Sequence, residues 1–490
     1  MGRGRVRECA TLRRLTALAV AAWLGGVGQA LAANDAMLKL LQVLRDRGSI
    51  SAQEYEDIRK VAEASDVADV AETPAEVGKR LGTVEQRLAE QDKAVAGIKT
   101  STEGAVPPLV SKALSGKWYE KIGLRGYTQV RYADVLTEEV PPLEVPADRS
   151  VNEAESIVIR RGRFIFSGDP AEHLSLYAQM DFNGSTGAPD FSVQMRDLYG
   201  DVWLDSKKLW RVRIGQSKVP FGWVNLQSSQ NRAAFERPDA LNVAVEGERD
   251  LGAYLMWNTA AAKQRFRDLV GLGLKGSGDY GAVAFGVYSG QGLNRSDQNG
   301  EVHVVGRASY PFKLASGQYV ELGVQGYRGR FVSPVQAITL GGASVTPTQD
   351  EKGALDERVA VSAVWYPQPL GIEAEWTFGR GPTLSDDFRR IDADSLQGGY
   401  LQVNYRTQGR KGTWVPFTRW NFYDGSRKFA RNAPRMHVNE VDFGLEFARW
   451  AELELTAMVS RTFSRTRTGL FPYTETRGAT RLGLQAQINY

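Results

Sequence analysis

The chain has 490 residues, 61 Lys and Arg against 57 Asp and Glu, and a single cysteine. A formal charge of +4 over this length gives no electrostatic footprint for nucleic acid, and one cysteine leaves no disulfide framework or thiolate metal site. Beyond the first segment no apolar run reaches the roughly 20 residues of a spanning helix, which excludes a helical membrane protein. A β-barrel is not excluded, because its alternating faces average out along the chain.

Residues 1–32 read as a secretory signal: Arg3, Arg5, Arg7, Arg13 and Arg14, then the apolar Leu15 to Val27, then Ala30-Leu31-Ala32 as a small-x-small cleavage site. Cys9 leaves with it, and so do five Arg and one Glu, so the mature chain carries 61 − 5 = 56 basic and 57 − 1 = 56 acidic residues. Residues 33–72 read as a short helical hairpin, with Ser51 and Glu54 at capping-box spacing. In residues 73–100, Val77, Leu81, Val84, Leu88, Gln91, Val95 and Ile98 follow the spacing of a coiled-coil seam, with polar Gln91 suited to setting register. Residues 101–117 form a linker.

From Trp118 to Tyr490 the period changes to two, as in IGLRGYTQVRY, RFIFSG, YLQVNYR, VDFGLEF and ELELTAMV. Short polar turns alternate with long Gly-, Ser- and Asp-rich loops. This predicts an all-β fold: a transmembrane antiparallel β-barrel in the outer membrane of a Gram-negative cell, with the N-terminal helical segment in the periplasm. A template of roughly 10-residue strands gives seventeen candidates, and bacterial barrels close with even numbers. Leu251 to Gly278 is the weak stretch, where LGAYLMWN and FRDLVGLGLKG cannot both span. Sixteen strands is the expectation and eighteen the alternative, wide enough for a water-filled channel.

Parity then assigns faces. Arg125 and Arg131, Arg161 and Arg163, Arg196, and Arg211 and Arg213 fall on the lumenal side of early strands. Glu373, Glu375, Asp442, Glu446 and Glu454 fall inside on later ones. A basic arc facing an acidic arc would set a field across the channel, although each inward arginine can equally pair within the wall. The chain closes on RLGLQAQINY. Its apolar parity, ending in Ile488 and Tyr490, reads as a closing strand and as the signal recognised by the outer-membrane barrel assembly machinery.

At Arg211 to Asn242 the chain resembles the phosphate-selective porin O and P family, through Gly215-Gln216, Lys218, Pro220-Phe221-Gly222, Ser228-Ser229 and Phe235-Glu236-Arg237. IRRGRFIFSG and RDLYGDVWLD look like its second and fourth strands, and ERDLGAYL and FGVYSGQG like later landmarks. The resemblance implies a sixteen-stranded homotrimeric channel for small anions such as phosphate. Its third loop, here Phe221 to Asp250 with Arg232, Arg237 and Arg249, would fold inward as the constriction beside Lys218. No cofactor is implied; the expected partners are outer-membrane lipid, the assembly machinery and anionic solutes.

Two rival readings differ in class. A general, organic-acid or other-oxyanion porin could also use the coiled coil to tether the outer membrane to the cell wall or a periplasmic partner. An enzyme would need a site, and His173, His303 and His437 are scattered, with His303 and Ser309 the one hydrolase-like pair.

Overall fold

The computed structural model describes residues 118–138, 156–183, 192–469 and 473–490. The expected signal, helical hairpin, coiled-coil seam and linker lie outside the described residues. Among these, sixteen strands form one closed antiparallel sheet, each paired with its neighbours in sequence. The first eight are β1 (Ile122–Glu138), β2 (Ser156–Ala171), β3 (Leu174–Asn183), β4 (Ser192–Trp203), β5 (Trp210–Lys218), β6 (Arg249–Trp257), β7 (Val283–Tyr288) and β8 (His303–Lys313). Then come β9 (Tyr319–Phe331), β10 (Ala354–Trp365), β11 (Leu370–Leu384), β12 (Ile391–Tyr405), β13 (Gly412–Ser426), β14 (Arg435–Trp450), β15 (Leu453–Arg467) and β16 (Thr474–Asn489).

The count is even because FRDLVGLGLKG is not a strand. Thr259 caps a helix over Ala260–Gly271, its hydroxyl oxygen accepting from the Ala262 amide at 3.0 Å. β6 and β7 therefore pair directly on either side of it.

Strict alternation gives the wall two faces of opposite character. In β15, Leu455, Val459 and Phe463 point outward and are exposed, while Glu454, Thr456, Ser460 and Thr462 between them are buried inside. The same outward belt carries Leu124, Phe164, Ile214, Leu255, Phe285, Leu322, Ile372, Leu401, Phe443 and Leu484. A continuous apolar exterior around a polar interior is stable only in a bilayer, where closure satisfies every backbone group. At the end where the chain enters and leaves the barrel, exposed Trp210, Trp365, Tyr405, Trp450 and Tyr490 form an aromatic girdle. We call this the turn end and the opposite one the loop end.

β1 closes the ring against β16, in a register running from Tyr127 opposite Asn489 to Glu138 opposite Ala479. At the seam the Gly126 amide donates to the Tyr490 carbonyl at 2.6 Å, and the Tyr490 amide returns a bond at 3.0 Å. The Tyr490 ring lies over Gly126 and packs on Phe164 at 5.7 Å. A methyl group at Gly126 would sit 2.2 Å from the Arg163 carbonyl oxygen and 2.5 Å from that ring. Gly126→Val should therefore cost on the order of 3 kcal/mol or more through overpacking at the seam. The check is the fraction of protein that keeps fast, heat-modifiable mobility on a cold denaturing gel; an unchanged fraction would contradict this account of closure.

Candidate functional site: the inward loop and its arginine wall

Between β5 and β6 the chain leaves the wall and fills part of the lumen. The loop spans residues 219–248; Arg249 and Asp250, expected in it, open β6 instead. Two short helices shape it, α1 (Trp223–Leu226) and α2 (Asp239–Asn242). At the start of α1, Gly222 has φ of +84° and no side chain to cap the helix. The cap comes from across the barrel, where the Glu375 carboxylate accepts from the amides of Trp223 at 2.6 Å and Val224 at 3.2 Å.

The loop has an apolar body that packs on one side of the barrel. Phe221, Trp223, Val224, Leu241 and Val243 are buried with inward residues of β6 to β14, including Tyr254, Tyr288, Tyr327, Tyr366, Tyr400 and Tyr423. Phe221 meets Tyr327 edge to face at 4.8 Å. The Trp223 indole N–H donates to Glu321 at 3.2 Å, and the Tyr366 hydroxyl shares that carboxylate at 2.7 Å. At the level of the loop body, packing of this kind fills the lumen beside β6 to β14.

The opposite edge of the loop is polar, and two carboxylates pin it. Glu236 receives Arg131 at 2.9 Å, Arg160 at 3.0 Å and Arg161 at 2.6 Å. Glu248 receives Arg232 and Arg249 in short ion pairs, Arg237 at 3.0 Å and Lys218 at 3.5 Å. Burial opposes the charge on both carboxyls, but the surrounding guanidinium groups win and hold both well below the usual carboxylate range. Burial also brings Arg237 down to about 10, against the pull of Glu248.

The structure places the basic residues predicted from parity on the lumenal side, most of them in pairs. Arg163 bonds Asp181 at 3.0 Å, the Tyr127 hydroxyl at 2.8 Å and Ser229 at 2.8 Å. Arg213 grips both oxygens of Asp201, at 2.7 and 2.9 Å. Arg211 lies 3.5 Å from both Asp201 and Asp279. The Lys218 ammonium donates to the carbonyls of Asn225, Leu226 and Gln227. Arg196 is more loosely held, 3.9 Å from Asp181 and 3.2 Å from the Gly247 carbonyl. Arg125 is exposed toward the turn end.

The acidic residues are mostly anchors. Glu375 caps α1, Asp442 takes Arg419 at 2.7 Å, and Glu446 and Glu454 take Lys275 at 2.6 and 2.8 Å. Glu373 accepts from Asn404 at 3.2 Å. Asp181, Asp197 and Asp201 sit among the early arginines, so the two arcs are less segregated than the sequence reading anticipated. Parity through LYAQMDFN finds Asp181, but a bulge at Arg196 brings Asp197 and Asp201 to the same face as that arginine, which strict alternation does not register.

Arg160 could not be found that way. A bulge opposite Gln129 and Val130 leaves it as the extra residue of β2, so Arg160 and Arg161 both face inward. His303 also turns inward, fully buried between Tyr288 and the Arg330 carbonyl, while the Ser309 hydroxyl donates to Glu321 at 2.6 Å. The two stand six residues apart on one strand, roughly 20 Å, and make no catalytic pair.

Between the pinned loop and β2 to β4 remains a cavity of about 200 Å³. Its lining carries the guanidinium groups of Arg160, Arg161, Arg163, Arg196, Arg237 and Arg427 against the carboxylates of Asp181, Glu236, Glu246 and Glu248. Among the described residues the buried Nε atoms of Arg163 and Arg196 have no hydrogen-bond partner there.

A closed sixteen-stranded barrel with an apolar belt and an inward loop beside a basic wall defines a channel protein of the outer membrane. The family model described as phosphate-selective porin O and P matches residues 143–447, and the chain belongs to that family. Similar solved structures include the outer-membrane channel DcaP of Acinetobacter baumannii, 13% identical, covering 75% of this chain and 97% of that one with a TM-score of 0.45. OmpT of Vibrio cholerae in its trimer form is 10% identical over 75% and 99% of the two chains, TM-score 0.45. An anion-selective porin from Comamonas acidovorans is 11% identical over 75% and 99%, TM-score 0.42. No curated protein matches the chain.

Removing the hub of the pinned edge tests its weight. Glu248→Ala leaves Lys218, Arg232, Arg237 and Arg249 without their shared counter-charge, at a cost of about 3–5 kcal/mol, and should expose residues 219–248 to limited proteolysis in a barrel that still forms. The pH dependence follows from the same pairs. A carboxyl held below its unfolded value contributes stability that is present above that value and is lost as pH falls through the folded one. Loop docking should therefore survive acidification to about pH 4.5, the ordinary glutamate range, and fail only in stronger acid. Protease sensitivity appearing by pH 6 would contradict it.

Proposed function

We propose that the channel passes small oxyanions, phosphate among them, along the wall formed by Arg160, Arg163 and Arg196. The observation that carries this reading is the six-to-four excess of guanidinium over carboxylate among the described residues that line the cavity beside the loop. The apolar body of the loop supports it by filling the late-strand side, which presses the aqueous path against the basic strands. A guanidinium offers two parallel donors to an oxyanion and keeps its charge at any physiological pH. The loosely held Arg196, whose Nε makes no hydrogen bond among the described residues and lies 3.9 Å from Asp181, is suited to lend a bond to a passing anion and recover it. We also propose that the turn end faces the periplasm, together with the N-terminal segment, and that the channel works as a homotrimer.

The test is the reversal potential of the full-length channel across a potassium chloride gradient in planar bilayers, followed by titration with phosphate. The expected outcome is reversal on the anion side with phosphate reducing chloride current; reversal on the cation side would reject the reading. Anion selectivity without block by phosphate would mark a general anion pore. Arg196→Glu should move the reversal potential toward cations. Arg213→Glu, which sets a second carboxylate against Asp201 inside the wall, should lower folded yield and leave the selectivity of the folded fraction unchanged.

A further inference from the structure

The turn between β6 and β7 is unlike the others at its end of the barrel. β2 and β3 are joined through Glu172 and His173, and β14 and β15 through Ala451 and Glu452, whereas Asn258 to Ala282 separate β6 from β7. This segment does not hang from the rim. Its helix α3 (Ala260–Gly271) buries Ala262, Phe266 and Leu269, and is tied down by the Tyr319 hydroxyl donating to Asp268 at 3.0 Å and by Arg265 donating to the Pro311 carbonyl at 3.0 Å.

After the helix the chain turns into the lumen. Gly273 and Lys275 take positive φ values of +64° and +56°. Leu274 is buried, and Gly276 passes so close to Tyr366 that a methyl group there would lie 3.2 Å from the hydroxyl. The Lys275 ammonium reaches Glu446 on β14 at 2.6 Å and Glu454 on β15 at 2.8 Å. On a ring of sixteen strands those are eight away from β6 and β7, on the opposite wall. The return is held by Arg211 donating to the Asp279 carbonyl at 2.5 Å, and by Asn258 donating to the Asp279 carboxylate at 2.7 Å.

The segment also touches the constriction loop, since the Gln227 amide donates to the Lys275 carbonyl at 2.7 Å. Between this crosspiece and the wall of β11 to β16 lies a cavity of about 540 Å³, whose charged lining is Arg125, Lys275 and Arg406 against Glu373, Glu446 and Glu454. Burial works against the charge on Lys275, but Glu446 and Glu454 outweigh it and keep the ammonium above the ordinary lysine range.

We infer that residues 258–282 form a second constriction, in series with the first, and that Lys275 determines the sign of the ion that can leave by the turn end. Without its ammonium the vestibule would hold two cations against three carboxylates, with Glu446 and Glu454 uncompensated on the exit path. An anion released by the arginine wall would then meet a repulsive mouth. The inference rests on the anion reading for its consequence, not for its geometry.

Two variants of the full chain, first checked for heat-modifiable folding, test it in planar bilayers. Lys275→Gln should shift the reversal potential toward cations, and adding Glu446→Gln and Glu454→Gln should bring it back toward the parent value, a reversal that simple structural damage would not produce. Replacing residues 260–278 by a short Gly-Ser turn should raise single-channel conductance about two-fold, as when one of two comparable constrictions in series is removed. Unchanged conductance in the shortened channel overturns the second constriction, and an unchanged reversal potential in Lys275→Gln overturns the role of that residue. A parent channel that reverses on the cation side rejects the anion reading instead and leaves the conductance test standing.

Discussion

The seating of the constriction loop depends on two buried carboxylates, each ringed by cations. Glu236 and Glu248 each gather three or more cations, and neither could stay charged at that depth without them. The debt is mutual, because the same arginines would repel one another if the carboxylates withdrew. A loop built on this arrangement is positioned by charge at one edge and by apolar packing at the other. Glu375, capping α1 from the far wall, ties the two together. At the level of the loop the lumen is thus divided into an aromatic side that is filled and an arginine side that is lined.

This division changes what the inward arginines mean. In an empty pore each one on the lumenal parity would count toward selectivity. Here Arg211 and Arg213 are satisfied by Asp201 and Asp279 outside the cavity lining, and Lys218 spends its ammonium on three backbone carbonyls. Arg160, Arg163 and Arg196 line water-accessible space, and of these Arg196 is held most loosely. Charge at the channel surface is what remains after the structure has met its own needs.

The architecture was legible because it depends on period and parity, which are local. Strand faces in β1, β2 and β5 follow from single steps along the chain, and the even strand number followed once one candidate in Leu251 to Gly278 was given up. The site was less legible. Arg160 faces inward only because of a bulge, which parity cannot register. Lys275 sits in a segment whose apolar residues suit a helix and a strand equally, and its partners lie more than 170 positions away. Glu375 announced itself as an inward acid, but its work as a helix cap depends on a loop folding across the barrel. Pairings between distant segments leave no periodic trace.

The lopsided filling of the barrel bears on how such a protein can diversify. Apart from Arg427, the charged residues lining the cavity beside the loop come from a contiguous stretch, Arg160 to Glu248. The later strands supply a floor for the loop and a face for the lipid. Changes at the arginine wall can accumulate within that stretch, whereas the later strands need keep only their packing, the anchor of the loop at Glu375 and the partners of Lys275 at Glu446 and Glu454. The first filter and most of the membrane architecture are thus carried by nearly separate blocks of one chain.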